Sequence, residues 1–509
     1  MKRRLVHRIP VRVRHYWKLL ATCAATLLAF TVVFSTVRVA PLVTSAGDES
    51  GDEVSVNIAG ATDLFDATRA HNIKITYRTE AYEELLDSFW KDGEKEYLEA
   101  DLTIDGTTVP SVGIRLKGNS TLQGITRNGE ARQNGFGGGR GAMPQGAMPQ
   151  GGPPEGGGFR MGGGGGRTSL KTEEPETLPW LIRFDEFVEG RRYQGHREIA
   201  VRVGGMGGGA AVLNEAVSLN VLAAAGEVTQ RYAYTSFTVN DRPTTARLIV
   251  EHPDENFADA IGGNGVLYKS MASSQFTDQG DDPTEYADDF KQINKKGSQD
   301  LQPVIDLITW VNSAGDAEFD EHLDEHVDVT SLARYAAIQN LLVNFDDMAG
   351  PGRNYYLWYD LGAKRFSVVG WDYNLTLSGS ATQDPAESVS MGGGMRGGGG
   401  DFRPPEGMEM PPGMEMPAGG RGGFMSGHKL KERFLASAAY KDTYRKAYKE
   451  LFNKIYGNAS ALNAINAITE VIGTVDGANA ESTATEAENL RTLITERTRF
   501  LVTNEIITG

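Results

Sequence analysis

Alternating apolar and polar residues predict strands through most of the first 250 residues. The predicted strands cover residues 73–77, 97–104, 109–117, 180–184, 232–239 and 244–250. The second and third are joined by Asp105-Gly106, a dipeptide that favours a two-residue hairpin turn. Helical periodicity appears at 80–89 and again at 213–225, where Gly226 closes the helix. The front half is therefore predicted to consist mainly of antiparallel strands.

From residue 301 onward the periodicity becomes helical. A helix is predicted from residue 332 to about 343, capped by Asp328 or Thr330, and strands follow at 354–359 and from 366 to about 370. The predicted helices of the C-terminal part cover residues 429–456 and 460–507, with a break near 476–485. A strand-rich front half and a helical back half predict an α+β, bilobal architecture.

Two Gly-rich stretches, at about 124–170 and 380–426, interrupt this pattern. The first repeats Met-Pro-Gln-Gly at 143–146 and 148–151, and the second is rich in Met and Pro. Such compositions bury too little apolar surface to offset the entropy of ordering, so we expect two disordered insertions. They would interrupt a single domain at 61–509 that follows a polar linker at 47–60.

The N-terminal residues have the composition of a membrane segment. Seven basic residues occur within residues 1–18, and residues 19–37 are uncharged over a length that can span a bilayer. We therefore expect residues 1–46 to form a cytoplasmic tail and a single-pass anchor in the cell membrane, with the remainder outside. Cleavage as a signal peptide near Ala46, giving a secreted protein, is the alternative. Cys23, the only cysteine, lies in the apolar segment, so the exported part has no disulfide and no thiol nucleophile.

Acidic residues dominate the rest of the chain. The 509 residues include 51 Lys and Arg against 67 Asp and Glu, a net charge of −16, which becomes −24 without residues 1–46. Such a surface repels nucleic acid and attracts cations or basic partners. The eight histidines lack metal-ligand spacing and no Gly-x-Ser-x-Gly motif occurs, which argues against zinc and serine hydrolases.

Carboxylates and an amide occur at the ends of the predicted elements after residue 340. Asp372 follows the strand that begins at Phe366, and Asp346 and Asp347 follow the predicted helix. Asn354 comes after a Gly-Pro-Gly turn. Oxygen ligands arranged in this way are the minimum set for holding Mg²⁺ and nucleotide phosphates while a hydroxyl is oriented. The pattern indicates kinase-like chemistry.

With other motifs, these residues resemble the spore-coat protein H (CotH) family of atypical, exported kinases. The resemblance covers about residues 70–506. Its motifs, in chain order, are Val112-Gly-Ile-Arg-Leu-Lys-Gly-Asn-Ser120, Val239-Asn-Asp with Leu248-Ile-Val-Glu251, Gly265-Val-Leu-Tyr-Lys269, Asn344-Phe-Asp346 with Asn354-Tyr-Tyr-Leu, and Gly370-Trp-Asp372-Tyr. It implies a degenerate protein-kinase-like fold with a strand-rich N-lobe and a helical C-lobe. It also implies transfer of the ATP γ-phosphate to Ser or Thr of exported proteins. The acidic surface of the chain would favour acceptor proteins that are basic and Ser-rich.

The resemblance further implies roles for individual residues. Asp346 would orient or deprotonate the acceptor hydroxyl, with Asp347 as the alternative. Asp372 would bind Mg²⁺ or Mn²⁺, and Asn354 would be the second ligand. The family's phosphate-covering turn corresponds to Lys117, Gly118, Asn119 and Ser120. Glu251 falls where the two lobes should join.

Some positions depart from the family pattern. The family often has Lys in the strand that here reads Leu178-Pro-Trp-Leu-Ile-Arg183, so the phosphate-pairing cation is Arg183, Lys117 or a residue that the sequence does not identify. Glu215 is the expected partner of that cation. Asn374 stands where relatives commonly have a second acidic residue, which removes a ligand for a second metal. The alternative interpretation is therefore a non-catalytic relative that organises an assembly at the cell surface.

Overall fold

The computed structural model describes residues 54–118, 120–132, 170–204, 209–387 and 427–509, together with six positions between 16 and 26. The chain divides into two units, Met1–Val43 and Thr44–Gly509. The second unit contains all of the strands and helices named below, and it confirms the mixed α+β composition. The kinase-like arrangement of two lobes remains a prediction.

The described elements alternate between strands and helices in the front half and are mostly helical after residue 301. The strands are β1 (Val56–Ile58), β2 (Ala70–Thr76), β3 (Leu98–Ile104), β4 (Thr107–Leu116), β5 (Thr126–Arg127), β6 (Glu130–Ala131), β7 (Trp180–Arg183), β8 (Arg191–Tyr193), β9 (Glu198–Val201), β10 (Tyr232–Val239), β11 (Thr245–Glu251), β12 (Gly265–Ser270), β13 (Phe290–Gln292), β14 (Tyr355–Asp360) and β15 (Arg365–Gly370). The α-helices are α1 (Thr79–Lys91), α2 (Leu213–Ala225), α3 (Glu255–Ile261), α4 (Gln302–Ser313), α5 (Asp316–His326), α6 (Val329–Leu341), α7 (Lys429–Ala436), α8 (Lys441–Phe452), α9 (Ser460–Ile472), α10 (Ala480–Leu501) and α11 (Glu505–Thr508).

Seven strands close into a barrel in the order β10, β11, β9, β7, β4, β3 and β2. The parallel pairing of β2 with β10 closes it, and the other neighbouring strands are antiparallel. Alternate residues of each strand fill the interior, among them Leu116 of β4 and Val201 of β9. Because side chains alternate across a strand, the next residues, Lys117 and Arg202, follow on the outer side of the barrel.

The predicted elements with a clear period agree with the structure. The helix at 213–225 matches α2 at both ends, and Gly226 closes it with a φ of 81°. Asp105 and Gly106 turn between β3 and β4 with φ of 47° and 83°, as a hairpin of this type requires. Strands β8, β9 and β13 were not predicted, because three or four residues are too few to show an alternation.

A second sheet has the order β13, β12, β14 and β15, and it is buried on both faces. One face belongs to the large core that includes the helices, through Val266, Tyr268, Phe290, Tyr355, Leu357, Phe366 and Val368. The opposite face forms a smaller apolar cluster with Leu267, Ile293, Tyr356, Trp358, Val369 and Trp371. The sheet therefore has two different apolar faces, and Trp371, just past β15, belongs to the smaller one.

Helix α6 lies at the centre of the helical part. Its N-terminus is capped by Asp328, whose side chain accepts hydrogen bonds from the backbone N–H groups of Thr330 and Ser331. Asp328 rather than Thr330 is thus the cap. At the other end, the hydroxyl of Tyr448 donates to Asn340 Oδ1 at 2.8 Å.

The described residues extend into both expected insertions. Residues 124–132 include the short β5–β6 hairpin, and Asn340 Nδ2 donates to the carbonyls of Asp384 and Glu387. The rest of the expected insertions, 133–169 and 388–426, lies outside the described residues, as does most of the expected membrane segment at 19–37. Among the residues that are described, no helix has both the length and the apolar character needed to cross a membrane.

We predict that Arg497 is essential to the helical part. Its side chain is fully buried in α10 and donates hydrogen bonds to the carbonyls of Ala381, Gln383 and Asn340. Arg497→Met should lower the free energy of unfolding by about 3 kcal/mol, because several buried acceptors lose their donor. Arg491→Met, on the same helix but partly exposed, should cost less than about 1 kcal/mol. Urea denaturation measures both, and equal losses would contradict the prediction.

Candidate functional site

A cleft opens where the ends of β4 and β9 meet the N-terminal region of α2 and the turn after β15. It is lined by Lys117, Gly118, Thr121, Pro179, Val201, Arg202, Val203, Gly209, Val212, Asp372 and Asn374. Its empty space is about 470 Å³, a figure that includes the open solvent at its mouth. The cleft therefore joins predicted and unpredicted residues from five segments of the chain.

Arg202 is the central charged group of the cleft. Its Nη2 lies 2.5 Å from Glu215 Oε1 and 2.8 Å from Asp372 Oδ1. Burial raises the pKa of Glu215, and the negative charge of Asp372 adds to this effect against the opposing charge of Arg202. Burial acts on Asp372 in the same sense, but the charges of Arg202, Lys117 and Lys269 outweigh it and lower the pKa of Asp372. The shared cation thus keeps Asp372 ionised.

Helix α2 fixes both sides of this ion pair. Glu215 in its first turn faces Arg202, while Asn214 Nδ2 donates to the carbonyls of Asn374 and Thr376 at 2.7 and 3.0 Å. The hydroxyl groups of Ser218 and Thr376 lie 2.7 Å apart. Since residues 214 and 218 are one helical turn apart, the same face of α2 holds the turn that follows Asp372.

The first two residues of the predicted phosphate-covering turn, Lys117 and Gly118, line the cleft. Lys117 donates its backbone N–H to the carbonyl of Pro179, and Gly118 has a φ of 106°. A Cβ at Gly118 would lie 3.0 Å from the Thr121 side chain, so the turn favours glycine in both conformation and space. Asn119 lies outside the described residues, and Ser120 begins a short 3₁₀ helix that ends at Gly124.

Lys117 is only partly exposed inside the cleft. Burial, together with the neighbouring charge of Arg202, lowers the pKa of Lys117 to about 7. Its ammonium group lies 5.2 Å from the centre of the Trp371 ring, and that of Lys269 lies 4.7 Å from the same ring. Two lysines and Arg202, at 5.7 Å, therefore surround one indole at the edge of the cleft.

Asp372 and Asn374 present oxygens suited to a divalent cation. Asp372 has a left-handed backbone, φ 59° and ψ 65°, of the kind that is often found at functional sites. The Oδ1 of Asn374 is buried without a hydrogen-bond donor, and the Oδ1 of Asp372 is buried with Arg202 Nη2 at 2.8 Å. Both residues line the cleft. Mixed carboxylate and amide oxygens fit Mg²⁺ or Mn²⁺, although no group of three His, Cys, Asp or Glu suitable for a metal occurs in the described ranges.

Asp346 is held in one orientation by the loop that follows it. Its Oδ1 accepts from the Gly352 N–H at 2.6 Å, and its Oδ2 accepts from Asn354 Nδ2 at 3.0 Å. A Cβ at Gly352 would lie 2.8 Å from Asp346 Oδ2, so glycine permits the close approach. Burial and the charge of Asp372 raise the pKa of Asp346 to about 6. In these contacts Asn354 orients Asp346, and its role as a metal ligand stays a prediction.

Asp347 has a different environment from Asp346. Its Oδ2 forms a buried ion pair with Lys431 of α7, and its Oδ1 accepts from the Ala349 N–H at 2.7 Å. These contacts join the loop to the helical part. Of the two adjacent carboxylates that the sequence left open, Asp346 is the one that is influenced by Asp372.

Arg183 and Glu251 do not line the cleft. Arg183 Nε lies 2.7 Å from Asp185 Oδ1, at the end of β7 that is opposite Pro179 and hence roughly 13 Å along the strand from Lys117. Glu251 Oε2 accepts from the Arg231 N–H at 3.0 Å, a contact between neighbouring strand ends. The strand predicted at 180–184 is present as β7. Arg183, its last residue, lies at the end of β7 that is away from the cleft.

Arg202 is the residue that the sequence did not identify. It directly follows the four-residue strand β9 and precedes Glu215 by 13 positions. The sequence did contain a signal for Arg202: it follows an apolar strand and precedes a helix that has a glutamate, Glu215, in its first turn. Lys269 belonged to a quoted motif, but its contact with Trp371 depends on the register of the second sheet.

The fold and the cleft define an α+β protein with a cation-lined site in which Arg202 pairs with Glu215 and Asp372. The CotH kinase protein family model matches residues 164–501, about two thirds of the chain. The chain therefore belongs to the CotH kinase family. The match begins after β4, so Lys117 and Gly118 lie outside it. No curated protein matches this chain.

We predict a pH-dependent loss of stability when Arg202 is removed. In Arg202→Met the buried Glu215 and Asp372 lose their shared cation, which should cost about 3 kcal/mol at a pH of about 8. A carboxyl with a raised folded pKa keeps its proton when folded, so stability falls as pH rises from the ordinary value of 4.5. The loss should therefore be smaller at a pH of about 5.5.

The double variant Arg202→Met with Glu215→Leu is the matched control, because it removes the repelling carboxylate as well. Urea denaturation at the two pH values should show that the double variant regains stability and loses most of the pH dependence. A loss in Arg202→Met that is the same at both pH values would contradict the assignment.

Proposed function

We propose that this protein is an ATP-dependent phosphotransferase that acts on Ser or Thr hydroxyls of other proteins. Membership of the CotH kinase family supports a kinase-related function. The observation that carries the proposal is the position of Arg202, which bridges Glu215 of α2 and Asp372 inside the cleft beside Lys117. A cation paired with a helix glutamate next to a metal-binding aspartate is the arrangement that phosphoryl transfer requires.

The chain's own residues would bind and orient the triphosphate. Lys117 and Arg202 supply positive charge on one side of the cleft, and Gly118 lines it beside them. Asp372 and Asn374 would hold Mg²⁺ or Mn²⁺ through their oxygens. When bound, the metal would neutralise charge on the β- and γ-phosphates.

We assign Asp346 as the group that accepts the hydroxyl proton. As the acceptor oxygen bonds to the γ-phosphorus, the bond to the β-phosphate oxygen breaks, ADP leaves, and the hydroxyl proton passes to Asp346. Its hydrogen bonds to Gly352 and Asn354 fix the carboxylate, and the raised pKa favours proton acceptance. Asp347 cannot do this without leaving Lys431.

The acceptor and the location belong to the same proposal. We infer acceptors that are exported proteins with basic, Ser-rich segments, since the whole chain carries a net charge of −16. The uncharged residues 19–37 after a basic tail support a place at the outer face of a membrane.

A non-catalytic, nucleotide-binding role is the second candidate. Both carboxylate oxygens of Asp346 already accept hydrogen bonds, so proton acceptance competes with Gly352 and Asn354. Such a protein would bind nucleotide in the same cleft and organise an assembly through its other surfaces. Transfer assays and binding assays separate the two candidates.

We predict that the purified protein transfers label from γ-labelled ATP to itself or to a basic Ser-rich peptide, with Mg²⁺ or Mn²⁺. Asp372→Ala and Asp346→Ala should each lose at least about 100-fold in rate, because one removes the metal ligand and the other the proton acceptor. Asp241→Ala, in the exposed β10–β11 turn, is the control and should keep the parent rate. Metal-dependent ATP binding without transfer would instead establish the non-catalytic role.

We also predict that kcat rises with pH through the ionisation of Asp346. Its pKa of about 6 refers to a site in which the charge of Asp372 is not offset by a metal. Since a bound divalent cation offsets that charge, the acidic limb of kcat should lie below that of kcat/KM. Rates at saturating nucleotide measure this. An acidic limb that persists unchanged in the residual activity of Asp346→Ala would contradict the role of Asp346.

A further inference from the structure

Lys269 and Lys291 form a pair of like charges next to the cleft. Their Cα atoms are direct partners in the antiparallel pairing of β12 with β13, so both side chains lie on the same face of the sheet. Both are partly buried. Directly opposed like charges destabilise a sheet.

Neither ammonium group has an anionic partner in the part of the chain that the structure describes. Lys269 contacts only aromatic rings there, at 4.7 Å from the centre of Trp371 and 5.9 Å from that of Tyr356. Glu198, the nearest carboxylate of β9, is already engaged by His252, at 3.0 Å, and by the hydroxyl of Tyr97. Burial and the charge of Lys291 lower the pKa of Lys269 to about 8, which leaves it mostly charged near pH 7.

The charges around Lys117 and Lys269 do not balance. The groups that act most strongly on these two lysines are three cations, Arg115, Arg202 and Lys291, and three carboxylates, Glu198, Glu215 and Asp372. With the two lysines themselves, these groups are five cations and three carboxylates, so Lys117 and Lys269 lie in a locally cationic region of a chain of net charge −16. A triphosphate bound with one divalent cation retains roughly two negative charges near neutral pH.

We propose that Lys269 and Lys291 form an anion subsite that completes the binding of a polyphosphate chain in the cleft. The subsite extends the phosphate site beyond Lys117 and Arg202, around the indole of Trp371. The inference rests on the proposed function for the identity of the ligand, but it concerns binding and not transfer. Both lysines weaken the ligand-free fold by repelling each other, and the bound anion removes that repulsion.

The test measures Tm and binding by calorimetry on the full chain, with Mg²⁺ and ATP, ADP or inorganic tripolyphosphate. The variants are Lys269→Gln, Lys291→Gln and both together. Lys74→Gln is the matched control, because Lys74 is an exposed strand lysine whose direct neighbours are Thr103 and Thr238. If the double variant fails to fold, the single variants carry the test.

In each lysine variant we expect a higher Tm without ligand and a weaker affinity for the ligand. Without ligand, Tm should rise by up to about 2 °C because the repulsion is gone. With ligand, affinity for ATP and tripolyphosphate should fall about tenfold per lysine, while Lys74→Gln changes neither. Tripolyphosphate binding that depends on both lysines would identify the phosphate chain alone as the ligand. Dependence seen only with ATP would still support the subsite and assign it to the nucleotide.

Unchanged affinity in the double variant would overturn the subsite, as would a lowered ligand-free Tm with unchanged affinity, which would make the lysines structural. These outcomes are separate from the proposed function. Phosphate transfer that survives together with unchanged binding in the variants defeats only the subsite. Binding that depends on the lysines in a protein without transfer activity defeats only the catalytic proposal.

Discussion

The guanidinium of Arg202 holds together three segments: the end of β9, the first turn of α2 and, much later in the chain, the turn after β15. Its Nη2 contacts Glu215 at 2.5 Å and Asp372 at 2.8 Å in a site with little access to water. Removing charges from water costs several kcal/mol per ion, so such a group is stable only while its partners stay in place. Arg202 therefore contributes both to the position of α2 and, together with Lys117 and Lys269, to the ionisation of Asp372.

Strand alternation explains how a polar cleft can border two apolar cores. Leu116 and Val201 fill the barrel, so the residues that follow them, Lys117 and Arg202, turn to the outside without disturbing the interior. The second sheet repeats this arrangement. Tyr268 packs into the large core, whereas its neighbour Lys269 lies on the opposite face with Trp371. Cations are thereby held rigidly by well-packed strands, which suits a site that must orient a ligand.

The charge of the cleft is opposite to that of the whole chain. An acidic protein with a local excess of cations attracts an anion to one place and repels it elsewhere, because low-dielectric walls strengthen the local field. The same surroundings raise the pKa of Asp346 and lower that of Lys117. These opposed shifts follow from burial, which disfavours the charged form of either group. A cleft of this kind is pre-organised for charged chemistry whether or not transfer follows binding.

Local sequence determined the elements with a clear period and the residues at their ends. The hairpin at Asp105-Gly106, the limits of α2 and the strand before Asp372 follow from turn chemistry, capping and alternation, all of which act within a few residues. The family motifs also brought Asp346, Asp372 and Lys117 into one hypothesis, and the structure places Lys117 and Asp372 in one cleft.

Tertiary structure decided which of several equivalent residues the site uses. Asp346 and Asp347 are adjacent, and tertiary contacts distinguish them: Asp346 accepts from Gly352 and Asn354, whereas Asp347 pairs with Lys431, 84 residues away. Arg202 lines the cleft and Arg183 does not, because the direction of β7 within the barrel puts Arg183 at the far end from Lys117. Lys269 and Lys291 meet only through the register of β12 with β13. Such choices depend on contacts between distant segments, which no local period or cap encodes.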